Sequence, residues 1–104
     1  MALQTKPFTF GILKGTAYDF EVKGDVLPMH WHSAENVHIT VVAKGSFKAH
    51  GPDGTWEKTL TSGNIVDWQP FQQHEFIALE DNSRIVNIVK GTGEPSNEYG
   101  TPPQ

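Results

Sequence analysis

Apolar residues in this chain recur at every second position, and the runs in which they do so are short and end at Gly, Pro or Asn. No window of useful length repeats them at i, i+3, i+4 and i+7, the spacing that would give a helix a buried stripe. The pattern therefore predicts an all-β chain, with strands over 8–13, 17–23, 27–32, 37–43, 46–50, 56–61, 65–68, 74–79 and 84–90. Turn chemistry separates these runs: GPDGT at 51–55 carries the strongest reversal, and KGD, AKG, TSGN and EDNS mark others. Short strands at this spacing close into a sandwich or barrel.

A length of 104 residues, 37% of them apolar, suits one domain and is too short for two. Such a domain buries only about 60–65% of the surface of its unfolded chain, so a homodimer is expected to help, with the alternating Phe8, Phe10 and Ile12 either as the dimer edge or as ordinary sheet packing. The net charge of −4, with no Lys/Arg cluster, argues against nucleic acid and an anionic membrane as partners. With no cysteine, a disulfide, a thiolate nucleophile and a sulfur-ligated metal are excluded, and any metal must be held by nitrogen and oxygen.

The opening MALQTKPFTFG lacks the apolar core of a signal peptide, and runs such as VHITVVA are far short of the roughly 20 residues that cross a bilayer. A cytoplasmic protein is the expectation. Residues 1–90 read as the barrel, and 91–104, rich in Gly and Pro with one aromatic, as an extended or mobile tail. The alternative is a tail laid across a neighbouring subunit and anchored by Tyr99.

Histidine is concentrated in PMHWHSAENVH, residues 28–38. Side chains at i and i+2 of a strand share a face, so His30 and His32 project together and Trp31 away from them, which makes half a metal site. A return of the chain through SAENV would bring His38 opposite, on a face shared with Thr40 and Val42. His74 joins them if it, Phe76 and Ala78 look inward. His50 sits at a turn outside this group and is given no role.

The same stretch resembles the first signature of the cupin superfamily. In GDVLPMHWHSAENVHITVVAKG, residues 24–45, Gly24, His30, His32 and Gly45 take the places of that signature, and counting back from Gly45 puts His38 where the family usually has Glu. Glu35 competes for that position. GNIVDWQPFQQHEF, residues 63–76, is similar to the second signature through Gly63, Pro70 and His74, although the family's Gly after the Pro is missing and Ala78 stands where Asn is common. The resemblance implies a single-domain cupin barrel, or jelly roll, with one divalent ion held in its mouth by His30, His32, His38 and His74, with Glu35 as the fallback in place of His38.

Imidazole nitrogen suits Fe, Mn, Ni, Cu or Zn better than Mg or Ca, and four neutral donors leave the ion its full +2 charge. Glu35, Asp67 and Glu75 are candidates to accept the outer ring N–H groups, Thr40, Trp68, Phe71 and Phe76 to shape the pocket, and Gln72 and Gln73 to orient a bound oxygen. The function expected is an Fe(II)- or Mn(II)-type oxygenase acting on a small organic acid or diketone-like substrate. The alternatives are a metal-dependent isomerase or lyase for a sugar or oxo acid, and a binding or sensing module without turnover.

Overall fold

The structure, a computed structural model, describes residues 3–103. Nine strands follow one another: β1 (Leu3–Phe10), β2 (Leu13–Phe20), β3 (Val26–His30), β4 (His38–Lys44), β5 (Ser46–His50), β6 (Glu57–Thr61), β7 (Ile65–Asp67), β8 (His74–Ala78) and β9 (Ser83–Val89). Two short 3₁₀ turns, Ala34–Asn36 and Pro52–Gly54, are the helical segments among the described residues. None is long and apolar enough to cross a membrane.

All pairings are antiparallel, in a five-stranded sheet ordered β1-β2-β9-β4-β7 and a four-stranded sheet ordered β3-β8-β5-β6. Their inner faces follow from the two-residue period of the sequence. In β9, Ser83, Ile85, Asn87 and Val89 are buried and the residues between them only partly so, and β8 buries His74, Phe76 and Ala78 in the same way. Phe20, Phe47, Leu60, Phe76 and Ile85 fill the space between the sheets, and Phe20 meets Phe47 edge-on at 4.8 Å between ring centroids. Polar residues gather on the inner face at one region of this interior, which is where the histidines lie.

The first hairpin departs from the expected strand over 8–13. Gly11 interrupts that run at φ +63°, and Phe10 pairs with Leu13 across a two-residue turn of Gly11 and Ile12. A two-residue hairpin with glycine at its first central position matches the right-handed twist of its strands, and that requirement outweighs the apolar run. Phe10 and Ile12 are consequently exposed at the hairpin tip, not packed on the core.

Gly45 joins β4 to β5 at φ +79°, and a Cβ there would lie 2.1 Å from Ser83 Oγ. Both the left-handed backbone and the close approach demand glycine. Gly45→Ala is expected to destabilise the protein by about 1–3 kcal/mol from the backbone alone, read as a lowered denaturant midpoint with unchanged slope; an unchanged midpoint would refute the need for glycine.

Candidate metal centre

The register of β3 against β8 sets His30 directly opposite His74. Between Leu27 and His30 that register shifts, at Pro28, which has no N–H to give to the ladder. β3 ends at His30, earlier than expected, but the chain continues far enough in the same sense that His32 is also buried and Trp31 turns outward to meet Phe71 at 5.8 Å.

One ring nitrogen from each of His30, His32 and His74 lies within 4.8 Å of the other two. Ring centroids are 4.3 Å apart for His30 and His74, 5.1 Å for His30 and His32, and 5.2 Å for His32 and His74. The outer nitrogens are all engaged by backbone carbonyls: His30 Nδ1 with Pro28 O at 2.7 Å, His74 Nδ1 with Gln72 O at 2.8 Å, and His32 Nδ1 with Ser96 O at 3.0 Å. A carbonyl only accepts, so each Nδ1 carries the proton and each Nε2 keeps its lone pair. Those three Nε2 atoms are buried and have no hydrogen-bond partner.

His38, the first residue of β4, is equally buried and its ring lies 3.9 Å from that of His32, although it stands outside the group of three. Its unpartnered nitrogen is Nδ1. Burial depresses the pKa of His30 to about 4, of His38 to about 3 and of His74 to about 2, and lowers that of His32 as well. The rings are therefore neutral at ordinary pH. Three neutral, desolvated imidazoles whose Nε2 lone pairs are left unpaired are the chemistry a borderline divalent ion requires, so His30, His32 and His74 fit such an ion.

Trp68 stacks on His74 at 3.9 Å and 5°, fixing the ring plane. Its indole Nε1 donates to Thr40 Oγ1 at 2.8 Å, and the Thr40 hydroxyl donates to Asn87 Oδ1 at 2.6 Å. With Asn87 Oδ1 accepting from the Thr40 hydroxyl, the Asn87 amide is left with an unpartnered Nδ2. Phe76 closes the wall at 5.8 Å from His74 and 6.5 Å from His30.

Several sequence expectations change here. Glu35 is exposed on the 3₁₀ turn, which carries it out of reach as the fallback in place of His38. None of the carboxylates expected behind the rings serves there: Asp67 pairs with Lys90 at 2.6 Å, and Glu75 with His50 at 2.8 Å and the Met29 N–H at 3.1 Å. Gln72 acts through its backbone, because its side chain caps the turn at the Gln69 N–H. Phe71 is exposed and packs on Trp31 instead of lining the cluster, though its N–H donates to His32 O at 2.8 Å. Pro28 O and Ser96 O were missed because a carbonyl leaves no mark on residue type; Asn87 was legible as the polar member of the inward phase of RIVNIV.

No family model matches the chain, and no curated protein does. Solved structures do match. KdgF from a Halomonas species is 22% identical with a TM-score of 0.71, over 83% of this chain and 77% of that one. An uncharacterised protein with a double-stranded β-helix domain from Klebsiella pneumoniae subsp. pneumoniae is 15% identical, with a TM-score of 0.75 over 94% of this chain and 85% of its own. An RmlC-like cupin from Desulfovibrio desulfuricans is 23% identical, with a TM-score of 0.68 over 84% and 81%. The chain has the double-stranded β-helix fold of the cupins.

Proposed function

We propose that this cupin fold frames a divalent-metal site, with His30, His32 and His74 as ligands and His38 as the fourth donor, and that the protein is an Fe(II)- or Mn(II)-type oxygenase for a small organic acid or diketone-like substrate. The observation that carries this reading is the set of buried imidazole nitrogens with no partner inside the protein. Leaving such groups unpaired costs about 1–3 kcal/mol each, which a bound ion would recover. The ion, when bound, would supply a Lewis-acidic +2 centre with open positions and one-electron chemistry toward dioxygen.

The residues do the rest. Neutral ligands leave the positive charge uncompensated, which favours an anionic substrate. Trp68 and Phe76 exclude water from one side, and the Asn87 amide, fixed by Thr40, offers a donor to an oxygen acceptor. Among the inward residues of β4 and β8, Thr40, Val42, Phe76 and Ala78 carry no group that titrates near neutral pH, which favours oxygen chemistry over proton shuttling. A second reading, an isomerase or lyase for a sugar or oxo acid, is favoured by one group: the Tyr99 phenol, whose ring lies 6.3 Å from His30.

Oxygen uptake by the Fe(II)-loaded protein across a panel of small acids and diketones tests the choice. Substrate-dependent uptake lost in His30→Ala is expected. Turnover without uptake, abolished by Tyr99→Phe, would replace the oxygenase by the second reading. Absence of turnover and of ligand-induced stabilisation throughout the panel would overturn both and leave a binding module.

A further inference from the structure

Two of the three clustered rings are anchored locally, His30 and His74 each by the carbonyl two residues before it. His32 is anchored 64 positions away, by Ser96 in the C-terminal segment. That segment does not trail from the barrel. Its Glu98 and Trp31 exchange two backbone hydrogen bonds, Trp31 N to Glu98 O at 2.9 Å and Glu98 N to Trp31 O at 2.8 Å, one residue from both His30 and His32. Trp31 Nε1 donates to Gly100 O at 3.1 Å, Asn97 Nδ2 to Tyr18 Oη at 2.9 Å, and the Glu94 N–H to Asn36 Oδ1 at 2.8 Å. Gly93 sits so close to the 3₁₀ turn that a Cβ there would lie 1.9 Å from Glu35 O.

Resting on the metal reading above, we infer that residues 93–100 are a strap that completes the metal centre: its docking fixes the tautomer and aim of His32, and docking and metal binding strengthen each other. The chemistry is that of any ligating imidazole. Without an acceptor at Nδ1, the ring is free to carry its proton on either nitrogen and to rotate, and both freedoms must be lost on binding an ion. Ser96 O removes them beforehand. Coupling between two equilibria is reciprocal, so a strap that raises metal affinity by a given factor is itself held more tightly by that factor once metal is bound. Ser96, Glu98 and Trp31 are thus positioning residues, and Tyr99, carried on the same strap beside His30, enters the site only when the strap is docked.

Glu98→Pro in the full chain removes the N–H that reaches Trp31 O, whereas Glu98→Ala keeps it. In metal-free protein, the hydrogen-bonded Nδ1–H signals of His30, His32 and His74 should all be visible by nitrogen-15 NMR, and Glu98→Pro should erase that of His32 alone. Its zinc affinity should fall about 10–100-fold, further than in Glu98→Ala, which keeps the backbone N–H and loses only the carboxylate that accepts from Ser96 Oγ at 3.0 Å. Zinc should slow deuterium uptake in residues 92–100 of the parent by a similar factor. Should Glu98→Pro fail to fold, Gly93→Ala lifts the strap from its other end and is read in the same way. A His32 signal and zinc affinity unchanged in the variant that folds would overturn the strap. If the parent binds no zinc, the metal reading falls while the ring signals still decide whether the strap holds His32.

Discussion

Replacing His30 and His32 together with Ala is expected to abolish metal retention while the β fold persists. The variant removes two of the three clustered nitrogens and leaves at most His74 and His38, fewer than the three protein ligands a bound ion ordinarily needs. Survival of the fold follows from the balance of terms in the metal-free chain. Each deleted imidazole takes away buried packing, but it also takes away an Nε2 with no partner, whose burial costs about 1–3 kcal/mol. Neither ring belongs to the cluster of phenylalanines and aliphatics between the sheets. Metal content after dialysis and melting with and without zinc measure the outcome. At a free zinc concentration 100 times the dissociation constant, binding adds about 2.7 kcal/mol, or roughly 10–20 °C for a domain of this size. The parent should show that shift, and the double variant essentially none. Equal metal content in the two proteins would contradict the assignment of these residues as ligands.

How much of this was legible in the sequence depends on whether a feature lives in side-chain type or in backbone placement. The strand over 46–50 and the inward phase of HEFIA were legible because alternation reports directly which face is dry. The histidines were legible because i and i+2 spacing needs no tertiary knowledge to place His30 and His32 on one side. The first hairpin was not, since the apolar residues of FTFGIL run straight across Gly11. The carbonyls behind the rings were invisible for a stronger reason: every residue carries one, so only the path of the chain selects Pro28, Gln72 and Ser96. The tail shows the same limit. Counting its apolar residues predicted an extended or mobile tail, and composition does not register the backbone and amide hydrogen bonds to Trp31, Asn36 and Tyr18 that this segment makes.

Metal-free protein is expected to unfold cooperatively as the pH falls from about 6 to 4, beginning above the roughly 3.9–4.3 at which free carboxylates titrate. In the unfolded chain each histidine takes up a proton near its ordinary pKa of 6.5, whereas burial holds His30 neutral to about 4, His38 to about 3 and His74 to about 2. The unfolded state therefore binds more protons throughout this window, and stability rises with pH; the contribution is complete above 6.5 and is lost as pH falls. Each ring costs about 1.4 kcal/mol per pH unit, so at pH 5 three rings together cost about 6 kcal/mol. That matches the lower part of the roughly 5–15 kcal/mol that stabilises a domain of this length. Asp19, whose carboxyl the hydrogen bond from Arg84 holds below its ordinary range, titrates too low to account for a loss in this window. Circular dichroism against pH, at zero and millimolar zinc, gives the check. Zinc competes with protons for the same lone pairs and should move the midpoint to lower pH. His74→Leu should make the dependence shallower by about one proton. A pH dependence in His74→Leu as steep as the parent's would mean that this ring accepts a proton in the folded state, and with it that the cluster is open to water in a way its burial denies.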